Sequence, residues 1–230
     1  MTPLVLLPGM MCDGRLWGPQ IAAFGAGRAV HLAPISAHAT MASLADEVLA
    51  HAPPRFALAG LSMGGVVAME VLAQAPGRVE RLALLDTNPR AELPEVRARR
   101  GPQIEQARQG ALRAVMRDEM KPNYLVDGPG KGAILDLCMD MAMDLGPEVF
   151  VRQSLALRDR TDRQQVLRGV TVPTLVLCGR EDRLCPIERH ELMHGLVPGS
   201  RLEIIDGAGH LPVLEQPART NAALRRWLEE

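Results

Sequence analysis

The sequence of 230 residues lacks several features that mark whole classes of protein. No apolar run approaches the roughly 20 residues of a membrane-spanning helix. The first apolar stretch is also too short for a secretory signal and lacks its basic flank. Basic and acidic residues nearly balance, at 26 and 27, so the charge favours neither nucleic acid nor an anionic membrane as a partner. These absences predict a cytoplasmic protein that acts on a small molecule.

Cysteine is sparse as well, and its spacing is uninformative. The four cysteines form no C-x-x-C pair and no zinc-binding pattern; they are Cys12, Cys138, Cys178 and Cys185. Scattered cysteines of this kind are typical of free thiols in a reducing compartment. We therefore expect neither disulfides nor a structural metal.

Short apolar runs alternate with amphipathic helical patterns along most of the chain. The runs that predict strands are Leu4–Leu7, Ala29–Ala33, Phe56–Leu61, Arg81–Leu85, Thr174–Leu177 and Arg201–Ile205. The patterns that predict helices are Leu16–Phe24, Met41–His51, Gly64–Ala75, Ile187–Leu196 and Pro217–Leu228. Mostly apolar strands alternating with helices indicate a parallel sheet covered on both faces. The predicted fold is α/β, with a mostly parallel sheet of about six strands.

The alternation stops between about residues 89 and 168, a segment that we call the helical insertion. Its pattern is helical throughout, at 104–120, 133–143 and 147–157, and its length is too great for a loop. It divides the predicted α/β core into residues 1–88 and 169–230. Its methionines either pack in its own core or line a substrate pocket with adaptable thioethers; the pocket candidates are Met116, Met120, Met139 and Met143.

The sequence Gly60-Leu61-Ser62-Met63-Gly64 lies between a predicted strand and a predicted helix. This context is typical of the nucleophile elbow, a sharp strand-to-helix turn that exposes a serine hydroxyl. We expect Gly60 and Gly64 to be glycines because a side chain at either position would collide with the tight turn.

Three further segments follow predicted strands, and in a parallel sheet such segments share one rim. In Pro8-Gly9-Met10, the Met10 N–H can pair with that of Met63 to form an oxyanion hole. Asp182 follows the fifth strand, and His210 ends a glycine-rich turn after the sixth. The chain order Ser62, Asp182, His210 predicts a catalytic triad. Glu181 and Asp86, which lie near the same rim, are the alternative acids.

These motifs resemble the α/β-hydrolase fold family, most closely its small lidded esterases. The similarity covers the chain outside the helical insertion and rests on three stretches: the elbow, Val172–Gly179 with Asp182 and Pro186, and Gly207–His210 with Leu214–Pro217. The resemblance implies that Ser62, Asp182 and His210 are the triad, that Met10 and Met63 supply the oxyanion hole, and that the insertion is the lid.

The sequence departs from this family in two places. We call residues 8–11, which follow the first predicted strand, the oxyanion loop. Many relatives have His-Gly in this loop, whereas this chain has Pro8-Gly9 and so lacks the histidine side chain that helps to hold the loop. Many relatives also begin with a hairpin of two antiparallel strands, whereas here the first predicted strand begins at Leu4. We therefore expect a sheet of about six strands whose edge is exposed or covered in a homodimer.

Two other patterns suggest different chemistry. His190-Glu191-Leu192-Met193-His194 matches the H-E-x-x-H signature of zinc proteases. The helical wheel, however, places both histidines opposite the apolar face, and no third ligand is evident. We expect exposed histidines that bind metal only adventitiously. The basic run Arg97, Arg99 and Arg100 is interpreted as a solvated helix face in preference to an anion site.

The combined prediction is a serine hydrolase that cleaves a small carboxylic ester through an acyl-enzyme intermediate, without metal or organic cofactor. Thioester hydrolysis, C–C bond hydrolysis and acyl transfer can use the same triad. A binding protein that has lost turnover is a second class of alternative, and a zinc protease is a third.

Overall fold

A computed structural model describes residues 1–229. Its centre is a six-stranded sheet in which every neighbouring pair of strands is parallel. The strands are β1 (Leu4–Leu7), β2 (Val30–Leu32), β3 (Phe56–Leu61), β4 (Val79–Leu85), β5 (Thr174–Gly179) and β6 (Arg201–Ile205), in the order β2-β1-β3-β4-β5-β6. The predicted α/β class and strand number are confirmed, and the strand bounds agree to within two residues.

The helices also follow the predicted alternation. They are α1 (Gly18–Phe24), α2 (Met41–His51), α3 (Met63–Gln74), α4 (Pro94–Gln106), α5 (Leu112–Val115), α6 (Lys131–Arg158), α7 (Gln164–Arg168), α8 (Ile187–Leu196), α9 (Pro212–Glu215) and α10 (Pro217–Glu229). The first predicted helix is shorter than expected, because Gly14–Trp17 forms a 3₁₀ turn before Gly18-Pro19 begins α1.

Side-chain alternation along the strands builds one hydrophobic core on each face of the sheet. In β1, Val5 and Leu7 pack in the cluster that contains α2 and α3. Leu4 and Leu6 pack in the opposite cluster, which contains residues of α1 and α10 such as Trp227. Because both faces are covered, β1, β3 and β5 are buried along their whole length, as their apolar sequences require.

The helical insertion is helical as predicted, but its breaks lie elsewhere. The expected helix at 104–120 is divided: α4 ends at Gln106, and two π-helical turns, Ala107–Ala111 and Met116–Met120, flank α5. Gly110 has φ +87°, a conformation that interrupts an α-helix. The expected helices at 133–143 and 147–157 form one element, α6, with a sharp break where Gly146 (φ +79°) precedes Pro147.

The cysteines lie in the interior of the fold. All four cysteines are buried and free, and burial raises the pKa of each thiol, so none is an activated thiolate. Within residues 1–229, no helix combines the length and the apolarity needed to cross a bilayer.

Candidate active site

The carboxyl ends of the parallel strands form one rim of the sheet, and the predicted site residues lie along it. Ser62 directly follows β3, the loop of Met10 follows β1, Asp182 follows β5, and His210 follows β6. The shared strand direction thus brings together residues that are far apart in the sequence.

Ser62 occupies the strained corner between β3 and α3. Its backbone has φ 55° and ψ −116°, and its N–H donates to the Leu85 carbonyl oxygen at 2.9 Å. A Cβ on Gly60 would overlap the backbone of Gly64, and a Cβ on Gly64 would overlap the carbonyl groups of the β1 end. The prediction that both glycines are sterically required is confirmed. The turn leaves the Ser62 hydroxyl half-buried at the mouth of a cavity.

A continuous chain of hydrogen bonds joins the three predicted triad side chains. The Ser62 hydroxyl lies 2.8 Å from His210 Nε2, and His210 Nδ1 lies 2.9 Å from Asp182 Oδ2. Asp182 and His210 are both 4% exposed, so the hydrogen bond between them is shielded from solvent. A serine, a base and an orienting acid in this sequence of contacts form the arrangement required to activate a hydroxyl nucleophile.

The surroundings of Asp182 hold its carboxylate in the charged form. Burial by itself raises the pKa of Asp182, but the neighbouring charge of His210 and the hydrogen bonds to the carboxylate outweigh it and lower the pKa to about 2. Oδ1 accepts the N–H groups of Leu184 (2.8 Å) and Cys185 (3.0 Å), which leaves Oδ2 for the histidine. Asp182 is therefore both ionised and fixed in orientation.

The alternative acids have different surroundings. Glu181 is exposed and accepts the Ala208 N–H. Asp86 is fully buried at the end of β4. Its Oδ1 accepts the Gly179 N–H at 2.9 Å, whereas no group of residues 1–229 donates to its Oδ2. Burial, with the charge of Asp182 beside it, raises the pKa of Asp86 well above its usual range. These surroundings favour the protonated form of Asp86, whose proton can be donated to the neighbouring Asp182 carboxylate.

Two residues that line the cavity with Ser62 have a backbone N–H without an acceptor among residues 1–229. Met63 is the first residue of α3, so its N–H has no partner within the helix. Among residues 1–229, no acceptor bonds to the N–H of Met10 either. The side chain of Met10 and that of Ser62 line the same cavity. The two residues predicted to supply oxyanion donors, Met10 and Met63, thus line the same cavity as Ser62.

Gln153 holds the oxyanion loop, a role that the sequence did not reveal. Its side chain is fully buried; Oε1 accepts the Met11 N–H at 2.8 Å, and Nε2 donates to the Ile35 carbonyl oxygen at 2.9 Å. Met11 has φ 55°, so the loop turns sharply just after Met10. Gln153 lies in α6 after the break at Gly146, and it fixes the loop from the insertion side.

Gln153→Met is expected to lower kcat for ester hydrolysis by about tenfold to a hundredfold. The substitution conserves volume but leaves the buried Met11 N–H without an acceptor, at a cost of about 1–3 kcal/mol, and frees the loop beside Met10. Steady-state kinetics with a neutral ester would measure this. The matched control is Gln106→Met, at an exposed position of α4; equal losses in the two variants would show that the loop does not depend on Gln153.

Glu215 holds the loop that carries His210, residues 206–211, which we call the histidine loop. The sequence did not reveal this role either. Glu215 Oε2 accepts the N–H groups of Gly209 (2.9 Å) and Leu211 (3.1 Å), on either side of His210, and Oε1 accepts the Val126 N–H (2.9 Å). The His210 N–H itself donates to the carbonyl oxygen of Tyr124. One carboxylate therefore joins the histidine loop to the helical insertion.

A cavity of about 490 Å³ opens above Ser62, between the sheet rim and the helical insertion. Of the four methionines that could pack in the core or line a pocket, Met120 lines the cavity. Met116 and Met139 are buried in the hydrophobic core, and Met143 packs against that core. The insertion reaches the cavity mainly through other side chains, including Tyr124 and Leu157.

The expectation that His190 is exposed is wrong. His190 is fully buried: Nε2 accepts the Thr87 N–H at 3.1 Å, and Nδ1 lies 3.3 Å from the Pro186 carbonyl oxygen. Burial lowers the pKa of His190 to about 4, so the ring is neutral. The apolar pattern of α8 could not predict the burial of His190, because its polar partner is the backbone N–H of Thr87, just after β4. With both ring nitrogens engaged, His190 is not available to bind zinc, whereas His194 is exposed and contacts Ser200 Oγ.

The basic run on α4 is only partly a solvated face. Arg97 is exposed and pairs with Asp159 at 2.9 Å, as predicted. Arg100 is buried and turned into the cavity, where its guanidinium pairs with Glu92 at 2.8 Å. The prediction is therefore wrong for Arg100. Its buried charge is stabilised by Glu92, which lies outside α4, so the pattern of the helix could not show it.

Comparison with known proteins identifies the family of the chain. Residues 4–223 match the model of the alpha/beta hydrolase family. The chain belongs to that family. This alpha/beta hydrolase is 29% identical to the pimeloyl-[acyl-carrier protein] methyl ester esterase of Klebsiella pneumoniae, over 94% of the chain and 89% of the relative.

Solved structures give the same result for the fold. A thermophilic esterase from Thermogutta terrifontis, solved with malate bound, matches all of this alpha/beta hydrolase and 90% of its own chain, with 29% identity and a TM-score of 0.91. The enol-lactonase from Burkholderia xenovorans matches all of the chain and 92% of its own, with 23% identity and a TM-score of 0.89. At that identity the second likeness bears on the fold alone.

Proposed function

We propose that this alpha/beta hydrolase cleaves carboxylic esters, with Ser62 as the nucleophile. The observation that carries the proposal is the hydrogen-bond chain from the Ser62 hydroxyl through His210 to the ionised Asp182. The esterase names of the relatives from Klebsiella pneumoniae and Thermogutta terrifontis support the same reaction class.

The mechanism follows from the contacts. His210 Nε2 removes the proton from the Ser62 hydroxyl as its oxygen attacks the ester carbonyl, and Asp182 stabilises the imidazolium that forms. The N–H groups of Met10 and Met63 bind the oxyanion. His210 then gives its proton to the leaving alcohol, and a water molecule activated by the same histidine hydrolyses the acyl-enzyme.

The helical insertion acts as the lid in this proposal. Its residues Met120, Tyr124 and Leu157 line the cavity above the nucleophile, so it encloses the substrate and limits access of water. It also carries Gln153, which holds the oxyanion loop. Substrate selection and loop geometry are thus both assigned to residues 89–168.

The test combines turnover with active-site labelling. We expect the purified protein to hydrolyse p-nitrophenyl esters of short acyl chains, and a fluorophosphonate to modify Ser62, as located by mass spectrometry. Ser62→Ala should lose both. Labelling without turnover of any ester would indicate a binding protein, and turnover of thioesters alone would assign a thioesterase. A protein that hydrolyses esters equally well after Ser62→Ala would overturn the proposal.

A further inference from the structure

Two arginines of the cavity wall have side chains that are almost completely buried. Arg100, on α4, is 9% exposed, and the side chain of Arg160, just after α6, is 8% exposed. Both line the cavity that contains the Ser62 hydroxyl. Buried guanidinium groups remain charged at any physiological pH, so each needs an anionic partner.

A single carboxylate serves both of them. Glu92 Oε2 accepts from Arg100 Nε at 3.1 Å and from Nη2 at 2.8 Å, while Oε1 lies 3.1 Å from Arg160 Nη2. The Glu92 side chain is 6% exposed, so the group is an Arg–Glu–Arg cluster with one positive charge in excess. Arg189 adds a further positive charge near Arg160 on the same wall.

The cluster keeps donors that no strong acceptor uses. Among the described residues, the acceptor for Arg100 Nη1 is the thioether sulfur of Met10, at 3.7 Å, which is a weak acceptor. Arg160 Nε donates to the Arg90 carbonyl oxygen at 3.0 Å, and its Nη1 has no acceptor among residues 1–229. Because Met10 is also the residue whose N–H is proposed to bind the oxyanion, the free Arg100 donor lies next to the proposed oxyanion hole.

Other charges on the cavity wall do not cancel this excess. Glu95 and Glu119 face the cavity from exposed positions, and Glu119 accepts from Gln103 at 2.8 Å. The exposed arginines Arg99 and Arg183 line the cavity as well. The mouth is therefore close to neutral, and the uncompensated charge belongs to the buried cluster.

We propose that the ester substrate carries a free carboxylate, which binds the buried pair Arg100 and Arg160 while Ser62 attacks the ester carbonyl. A carboxylate matches the fork of a guanidinium group and supplies the one negative charge that the cluster lacks. This inference rests on the proposed ester hydrolysis and adds the substrate class.

The experiment compares matched esters that differ only in charge. One series consists of monomethyl esters of dicarboxylic acids from malonate to adipate, each paired with the ester in which a carboxamide replaces the free carboxylate. A second series pairs O-acetylglycolate with O-acetylglycolamide, which moves the carboxylate to the alcohol side. We expect kcat/KM to favour the carboxylate member by about tenfold to a hundredfold in one of the series.

Arg100→Gln should abolish this preference while hydrolysis of the carboxamide esters continues, since Glu92 keeps its pair with Arg160 and the fold is retained. Arg97→Gln is the matched control one turn away on α4, and it should leave the preference unchanged because Arg97 is exposed and pairs with Asp159. A purely structural role for the cluster would lower kcat/KM equally for both members of a pair.

The outcomes separate this inference from the function on which it rests. Hydrolysis of the neutral esters without preference for the carboxylate in either series would overturn the inference and leave the ester hydrolase intact. Equal losses on both members after Arg100→Gln would also overturn it. Failure to hydrolyse any ester, p-nitrophenyl acetate included, would overturn both proposals.

Discussion

Asp182→Asn is expected to lower kcat for ester hydrolysis by about 10⁴-fold, whereas Asp86→Asn should change it by no more than a few-fold. The two carboxyl groups lie in contact at the ends of neighbouring strands, so the pair of variants decides which acid serves His210. Steady-state kinetics with one neutral ester, at one pH, measures both.

The difference follows from the state of each carboxyl group. Asp182 is ionised and accepts from His210 Nδ1 at 2.9 Å; an amide can present its NH₂ group instead, which favours the wrong tautomer of the imidazole. Asp86 is the neutral partner. In Asp86→Asn the amide oxygen can still accept the Gly179 N–H, and the NH₂ group can donate to Asp182 as the proton of Asp86 does.

Asparagine is also suited to the backbone at this position. Asp86 has φ 45°, in the left-handed region that asparagine and aspartate tolerate better than most residues do. Loss of activity in Asp86→Asn with retention in Asp182→Asn would reverse the assignment of the acid. Equal and large losses in both variants would show that the two carboxyl groups act as a unit.

Gly64→Ala is expected to destabilise the protein by more than about 3 kcal/mol, or to prevent folding. An alanine Cβ at this position would overlap the Leu7 carbonyl group and come within 2.6 Å of the Pro8 carbonyl oxygen. These are backbone atoms at the end of β1, which cannot move without displacing the oxyanion loop. Urea unfolding gives the free energy of unfolding.

Gly195→Ala is the matched control, because Gly195 is also helical but no atom lies within 4 Å of the position of its Cβ. Alanine there should stabilise the protein by about 0.5–1 kcal/mol, since it restricts the unfolded chain and favours the helix. If Gly64→Ala proved as stable as the wild type, the close approach of α3 to the end of β1 would be disproved.

The sequence predicted the layout of the sheet well because the signals are local. Apolar runs such as Phe56–Leu61 are buried on both faces of a parallel sheet and show it in their composition. The turn at Ser62 needs small residues on either side, so Gly60 and Gly64 mark it within five residues. Parallel topology then places the residues that follow β1, β3, β5 and β6 on one rim.

The same local signals failed for α8 and α4. A helical wheel assigns polar residues to the solvent face, yet His190 is buried against a backbone N–H of Thr87. Arg100 is buried for a comparable reason, because Glu92 and the cavity surround its guanidinium group. A polar side chain whose partner comes from another element has no periodic signature in its own helix.

The sequence by itself determined the fold class, the position of the serine that we propose as the nucleophile, and the order of the three residues that the rim brings together. Only the tertiary structure decided how the oxyanion loop is held, which acid is ionised and which arginines reach the cavity. The contact between Gln153 and Met11 spans 142 residues, and Gln153 lies in the part of α6 that follows the break at Gly146. Contacts of this kind are set by packing between distant elements, which no local pattern records.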